Sequence, residues 1–218
     1  MSYCTNAACP AQLQRRLEHF VTRGAMDIKG IGESLISRMR AAGLVKDIAD
    51  LYRVTKEDLL QLERMGDKSA ENILRSIEKS RERPFENVIF ALGIMHVGEE
   101  VAGLLAARFG SMENLETATE QELMTVPGIG PKIAGSIAGF FRDPNNLAIV
   151  RRLREAGVRM QPSRPPAAEG QPFAGKEFVI TGRLETMTRQ EAEEKLKALG
   201  GVPKDSVTRK TAYLVVGA

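Results

Sequence analysis

The stretch "VPGIGPKIAGSI", Val126 to Ile137, has two glycines one residue apart, then a proline, a lysine and a run with helical spacing. Glycine-rich turns before helices often hold phosphates, because the first amide N–H groups of a helix lack partners within it. The spacing argues against two nucleotide-binding loops. The dinucleotide fingerprint needs a third glycine where Ile133 stands, and the triphosphate loop needs lysine directly after its last glycine, where Ser136 follows Gly135. We therefore expect no nucleotide cofactor at this turn.

Similar turns recur upstream, in "DIKGIGESLISRM", "LERMGDKSAENIL" and "GIMHVGEEVAGLL". The second glycines of the four turns are Gly32, Gly66, Gly98 and Gly130, at intervals of 34, 32 and 32 residues. The position of the first glycine is occupied by Gly30, Arg64, His96 and Gly128. Apolar residues at helical spacing follow each turn, so the sequence predicts four repeats of one unit.

The halves that precede the turns also read as helices. "TKEDLLQL" and "TEQELMTV" begin with Thr55 and Thr119, each followed three residues later by an acid, Asp58 or Glu122. This is a capping box, complete for glutamate and weaker for aspartate. The predicted unit is therefore helix, short glycine hairpin, helix. Tetratricopeptide and ankyrin arrays have a similar period but different marker residues, and a helical interaction scaffold stays open as an alternative.

The pattern changes near residue 160. "DPNNLAIVRRLREAGV" predicts one more helix, and four of the ten prolines then fall between 162 and 172, which is typical of a linker. Beyond it, "EFVITG" and "AYLVVG" predict strands, and "TRQEAEEKLKALGG" predicts a helix capped by Thr188 with Glu191. The predicted fold class is mainly α, with four helix-hairpin-helix units at 25–160, a linker at 161–172 and a small α/β domain at 173–218.

Composition limits the classes of function. Hydrophobic residues make up 43%, charged residues 27% and aromatic residues 5%, which suits a helical globular protein. A net charge of +3, from 31 basic and 28 acidic residues, does not by itself indicate nucleic acid. The absence of a long apolar run and of a signal sequence predicts no membrane partner. Two cysteines form no disulfide framework, and we expect a cytoplasmic protein.

Each hairpin leads the chain into a helix N-terminus, where free amides and the helix dipole attract an anion. No pocket for a base or sugar is evident, so we expect backbone phosphates of duplex DNA, bound without reading sequence. The alternative is that the turns are only tight helix connections, with Arg64 and His96 as surface residues. The residues predicted to contact DNA are Lys29, Gly30, Gly32, Gly66, Lys68, Ser69, His96, Gly98, Gly128, Gly130 and Lys132.

The order of these parts resembles the C-terminal half of the bacterial NAD-dependent DNA ligases. "CTNAACPAQ" is similar to the second half of a four-cysteine zinc finger, assigned here to residues 1–24 with a connecting helix. "FENVIFALGIMHVG" and "LMTVPGIGPKIAGSI" resemble the third and fourth hairpin motifs of that family, and the α/β segment resembles a BRCT domain that is cut short. The resemblance implies that Cys4 and Cys9 are zinc ligands, in a site that needs two more.

The resemblance also implies what this chain lacks. The family's catalytic lysine lies in a Lys-x-Asp-Gly motif, which does not occur here, and the OB-fold domain is missing. NAD and Mg²⁺ would act only in that catalytic part, so we expect this chain to be inactive alone. The implied partners are nicked double-stranded DNA and the catalytic and OB-fold domains of the parent chain, with the protein itself a monomer.

The BRCT-like segment also resembles the phosphate-binding BRCT domain of the replication factor C large subunit. That resemblance implies a phosphate pocket formed by Thr181, Gly182, Arg189 and Lys210. The alternative is that Gly182 only turns the chain and the basic pair lies on the surface. Two further functions stay open: another helix-hairpin-helix repair protein, such as an excision-nuclease subunit or a small DNA polymerase, or a helical scaffold whose BRCT domain binds a phosphopeptide.

Overall fold

In the computed structural model of the chain, the structure describes residues 10–162, 173, 176–182, 188–204, 206–208 and 211–216. Cys4, Cys9 and Lys210 lie outside the described residues, and so does the side chain of Arg189. Contacts between Cα atoms divide the chain into two compact units, Met1–Arg164 and Pro165–Ala218. No helix in the described part of the chain is long and apolar enough to cross a membrane.

The first unit is helical. Its α-helices are α1 Pro10–Val21, α2 Glu33–Ala41, α3 Lys56–Leu60, α4 Asp67–Ser80, α5 Phe85–Ala91, α6 Glu99–Phe109, α7 Met112–Thr117, α8 Glu120–Met124, α9 Pro131–Arg142 and α10 Pro144–Glu155. A 3₁₀-helix spans Ile48–Arg53. The helices predicted on both sides of the turns are confirmed, while the 3₁₀-helix and α7 were not predicted from the sequence.

One apolar core joins these helices. It includes Leu17 and Phe20 of α1, Met39 of α2, Leu105 of α6 and Ile137 of α9, each at 1% exposure or less. Buried residues recur at helical spacing along these segments, so each helix buries one face, and the N-caps of the four helices that follow the glycine turns, Gly32, Gly66, Gly98 and Gly130, are exposed. The hairpins are therefore short connections carried on a well-packed scaffold.

Capping boxes fix the start of the two shortest helices. The Thr119 backbone N–H donates to Glu122 Oε2 at 2.8 Å, and the Glu122 N–H donates to Thr119 Oγ1 at 3.2 Å. The same reciprocal pair forms between Thr55 and Asp58, at 2.9 and 3.1 Å. The aspartate box, expected to be the weaker form, thus makes both hydrogen bonds.

Helix α10 closes the first unit through ion pairs. The Arg152 guanidinium donates to Asp47 at 2.6 Å and to Asp50 at 2.5 Å, both at the start of the 3₁₀-helix. Burial alone would raise the pKa of Asp50, but hydrogen bonds from the Lys46 backbone and from Arg152 hold it below its ordinary value. This contact fixes the segment between the first two turns to the last helix.

The second unit contains a parallel three-stranded sheet in the order β2-β1-β3, with β1 Glu177–Thr181, β2 Val202–Lys204 and β3 Thr211–Val216. Helix α11, Arg189–Ala198, connects β1 to β2 and begins with the predicted capping box, in which the Thr188 N–H donates to Glu191 at 2.8 Å. Phe178, Val179 and Ile180 are buried in β1. The predicted β1, α11 and β3 are confirmed, and β2 is an addition to the predicted pattern.

Candidate nucleic-acid interface

The four glycine hairpins share one turn geometry, and we number them 1 (28–32), 2 (62–66), 3 (94–98) and 4 (126–130). In each, apolar residues at the first and fourth positions point into the core, and the two corner residues are exposed. The turn is closed by a backbone hydrogen bond in hairpins 2, 3 and 4, from Met65, Val97 and Ile129 to the carbonyl three residues before, at 3.0 to 3.2 Å. The corner pairs are Lys29–Gly30, Glu63–Arg64, Met95–His96 and Pro127–Gly128.

The second corner residue has a left-handed backbone in all four hairpins. The φ angles are 89° at Gly30, 60° at Arg64, 68° at His96 and 88° at Gly128. Arg64 and His96 therefore keep the shape of the turn without glycine, although this conformation costs an ordinary residue about 1 to 2 kcal/mol. The repeat predicted from the sequence is present in the backbone even where the sequence departs from it.

The hairpins also pack in pairs within the first unit. A Cβ added at Gly30 would lie 2.9 Å from Ile73 of α4, and the Lys29 N–H donates to Ser76 of the same helix at 2.7 Å. A Cβ added at Gly128 would lie 4.0 Å from Leu104 of α6. Hairpin 1 thus rests on the helix that follows hairpin 2, and hairpin 4 rests on the helix that follows hairpin 3.

The second glycine of each hairpin is the N-cap of the following helix. Gly32, Gly66, Gly98 and Gly130 have φ between −108° and −88° with extended ψ, a conformation open to any residue. A Cβ added at any of the four would meet nothing within 4 Å, and none of the four helices has a side-chain cap. Neither backbone strain nor packing within the chain explains these glycines. They leave clear space in front of four uncapped helix N-termini.

The charge beside these N-termini differs between hairpins. Helix α9 begins with Pro131 and Lys132 and has no acid in its first turn. Helix α4 begins with Asp67 and Lys68, and Lys56 hydrogen-bonds to Asp67 at 3.0 Å and thereby lowers its pKa. Lys56 also pairs with Glu71 at 2.8 Å, so it is engaged with two acids of α4, and Lys68 is the cation of this N-terminus that no acid among the described residues holds.

The other two N-termini carry acids. Helix α2 begins with Glu33 and Ser34, and α6 begins with Glu99 and Glu100. Acids in the first turn stabilise the helix itself but oppose an incoming anion. Hairpin 4 therefore has the most favourable electrostatics for phosphate, and hairpin 3 has the least favourable. The sequence analysis did not predict this difference.

All of the residues predicted to contact DNA are exposed in the structure: Lys29, Gly30, Gly32, Gly66, Lys68, Ser69, His96, Gly98, Gly128, Gly130 and Lys132. The Ser69 N–H donates to the Gly66 carbonyl at 3.0 Å, and the Lys29 N–H is engaged with Ser76, so these two residues can offer only their side chains. Lys68 and Lys132 form no ion pair with any described residue.

In the second unit, Thr181 and Gly182 are exposed at the carboxyl end of the central strand, and α11 is the next element along the chain. This edge of a parallel sheet is where ligands bind in many α/β folds. Gly182 has φ 78°, which gives it a conformational reason to be glycine as well. Because the side chains of Arg189 and Lys210 are outside the described part of the chain, both interpretations of this segment remain predictions.

The structure does not test the zinc site that the family resemblance implies. In the ranges that the structure describes, no three His, Cys, Asp or Glu side chains are grouped to hold a metal ion. The cysteines that the family resemblance assigns to zinc, Cys4 and Cys9, lie outside those ranges.

Three known families match successive parts of the chain, and two of them each match one pair of hairpins. A SAM-like helix-hairpin-helix tandem family matches residues 23–79, a helix-hairpin-helix motif family matches 87–150, and the BRCA1 C-terminus (BRCT) domain family matches 169–218. The first match contains hairpins 1 and 2, and the second contains hairpins 3 and 4.

Proteins similar to this chain include DNA ligases of several organisms. The chain is 54% identical over 218 residues to a DNA ligase of Dehalococcoides mccartyi, 48% identical over 215 residues to one of Geobacter sulfurreducens, and 46% identical over 216 residues to one of Symbiobacterium thermophilum. These matches cover 98 to 100% of this chain and 32% of each relative, so the chain spans about a third of the length of these relatives.

Proposed function

The chain corresponds to the C-terminal part of a bacterial DNA ligase, and from this correspondence we propose that it holds double-stranded DNA through backbone phosphates without reading base sequence. One observation carries the proposal. Four helix N-termini begin with glycine although an added Cβ would meet nothing within 4 Å at any of them. The space that these glycines leave open is where a phosphate would approach the helix amides.

The chemistry at each N-terminus suits a phosphate of a polymer. The first amide N–H groups of α9 and α4 lack side-chain acceptors, and the dipole places partial positive charge there. Lys132 and Lys68, second in their helices, add full charges beside those amides. Phosphate contacts fix a protein on the duplex but carry no sequence information, so binding through them alone is independent of sequence.

The proposed parent enzyme is NAD-dependent and seals nicks in replication and repair. Its catalytic and OB-fold domains would bind NAD and Mg²⁺ and carry out the joining reaction, and this part would supply only DNA binding, as a monomer in the cytoplasm. Cys4 and Cys9 would provide half of a four-ligand structural zinc site, which two thiols alone hold poorly. Thr181, Gly182, Arg189 and Lys210 would add a phosphate contact from the BRCT-like segment.

A salt titration tests the proposal. We expect the affinity of the chain for a nicked duplex to fall linearly on a log–log plot against salt, with a slope of about −0.9 per phosphate neutralised, and to be the same for unrelated sequences. Lys132→Ala and Lys68→Ala are each expected to make the slope shallower by about 1.

Helix α4 offers a matched control. Lys79 lies in its last turn, roughly 16 Å from Lys68 at 1.5 Å per residue, and is also exposed to solvent. Lys79→Ala is expected to leave the slope unchanged. Binding that is insensitive to salt, or a slope that Lys79→Ala changes as much as Lys68→Ala, would contradict phosphate binding at the hairpins and favour a protein-interaction scaffold.

A further inference from the structure

Hairpin 3 differs from the others in the charge beside its open N-terminus. The second residue of the following helix is Lys68 after hairpin 2 and Lys132 after hairpin 4, but Glu100 after hairpin 3. Glu99 precedes it, so two carboxylates stand in the first turn of α6. A phosphate is attracted less strongly here than at the other hairpins, although Gly98 still leaves the approach open.

The same hairpin carries an apolar side chain at its outer corner. Met95 is 64% exposed, more than any other large hydrophobic side chain described in the first unit. The corresponding corner residues of hairpins 1, 2 and 4 are Lys29, Glu63 and Pro127. Met95 is thus the one flexible apolar side chain among the four corners.

The turn holds Met95 rigidly away from the core. Its neighbour Ile94 is 4% exposed, Val97 is 6% exposed, and the Val97 N–H closes the turn on the Ile94 carbonyl at 3.0 Å. His96, the second corner residue, keeps a left-handed backbone with φ 68°. The two buried residues anchor the turn from both sides, so the thioether projects from a fixed backbone.

We propose that Met95 is an apolar wedge that enters the minor groove and packs between bases while the other hairpins hold phosphates. The inference rests on the proposed function. Methionine is suited to the role because its flexible, polarisable side chain adapts to an irregular surface. Apolar wedges of this kind partly unstack a base step. At a nick one strand has no covalent link across the step, so opening the step deforms the backbone less. Met95 would therefore make the chain prefer nicked duplex to intact duplex.

The wedge has a signature in binding. Met95→Ala is expected to weaken binding to nicked duplex about tenfold, because the methionine side chain would lose the apolar area that it buries against DNA, with a smaller loss for intact duplex. The salt slope should not change, because an apolar contact releases no counterions. Met95→Leu should restore most of the affinity. Met124→Ala, which truncates another exposed methionine, at the end of α8, is expected to bind like the wild type.

A second readout follows the bases directly. With 2-aminopurine beside the nick, saturating wild-type chain is expected to raise the fluorescence by unstacking, and saturating Met95→Ala is expected to leave it at the level of free duplex. Equal fluorescence for both proteins, or a Met95→Ala loss that is the same for nicked and intact duplex, would overturn the wedge. If the wild type also failed to bind duplex at low salt, the proposed function itself would be contradicted. If it bound duplex in a salt-dependent way but did not raise the fluorescence, only the wedge proposal would be contradicted.

Discussion

At the scale of single residues, the two glycines of a hairpin are there for different reasons. Gly128 has φ 88°, a conformation that side chains resist, whereas Gly130 has φ −90° and open space where its Cβ would be. A Gly-x-Gly pattern in the sequence suggested both roles, but the torsion angles and the empty space were needed to assign them. The first glycine serves the fold, and the second leaves room for something outside it.

Stability measurements separate these roles. Gly128→Ala is expected to lower the free energy of unfolding by about 1 to 2 kcal/mol, because alanine must adopt the left-handed conformation. Gly130→Ala is expected to change it by no more than about 0.5 kcal/mol, since the loss of a tolerable N-cap and the gain from a stiffer unfolded chain offset each other. Urea titration measures both. Equal losses in the two variants would show that φ at Gly128 does not set its stability.

At the scale of elements, capping was the most reliable sequence signal. Thr55, Thr119 and Thr188 each begin a helix as predicted, and each makes both bonds of its capping box. The signal is local, because all of the partners lie within three residues. Helices α3 and α8 have five residues each, too few to be stable alone, so their caps and buried faces matter more than helix propensity.

The Glu122 box gives a pH-dependent prediction. Hydrogen bonds from the Thr119 backbone N–H and hydroxyl hold the pKa of Glu122 below its ordinary value. A lowered pKa in the folded state stabilises the protein above the unfolded-state pKa, and this contribution is lost as the pH falls through the folded-state value. Glu122→Ala should therefore be less stable than the wild type at neutral pH, and the gap should shrink on acidification below about pH 4.

Gln121 provides the control for that experiment, since it is exposed on the same helix and carries no charge. Any difference between Gln121→Ala and the wild type is expected to be independent of pH. Thermal unfolding of the three proteins across the acidic range is the measurement. A Glu122→Ala gap that persists unchanged at low pH would mean that the carboxylate does not contribute through its charge.

Elements that depend on distant partners could not be predicted. The 3₁₀-helix Ile48–Arg53 is held by Arg152, which lies more than a hundred residues away from Asp47 and Asp50. Strand β2 has three residues, one of them Pro203, and exists because β1 offers a parallel edge. Neither segment carries a periodic pattern long enough to read from sequence alone.

At the scale of the whole molecule, the repeat was the decisive signal. The spacing of Gly32, Gly66, Gly98 and Gly130 placed all four N-termini correctly, and the residues predicted there are exposed. Aligning the repeats on those glycines would also have shown that Glu100 occupies the position of Lys68 and Lys132. Met95 could not have been found in that way, because the sequence does not tell whether an apolar residue in a turn is buried or exposed.

Binding by Gly130→Ala tests phosphate contact at the hairpins most directly. A Cβ at Gly130 fits the protein but occupies the space in front of α9. The affinity for nicked duplex should therefore fall about tenfold, which corresponds to the loss of roughly one hydrogen bond to a charged group, with little change in stability. Gly139→Ala, another position of α9 with nothing within 4 Å of an added Cβ, should bind like the wild type. Equal affinity for Gly130→Ala, Gly139→Ala and the wild type would contradict phosphate binding at this N-terminus.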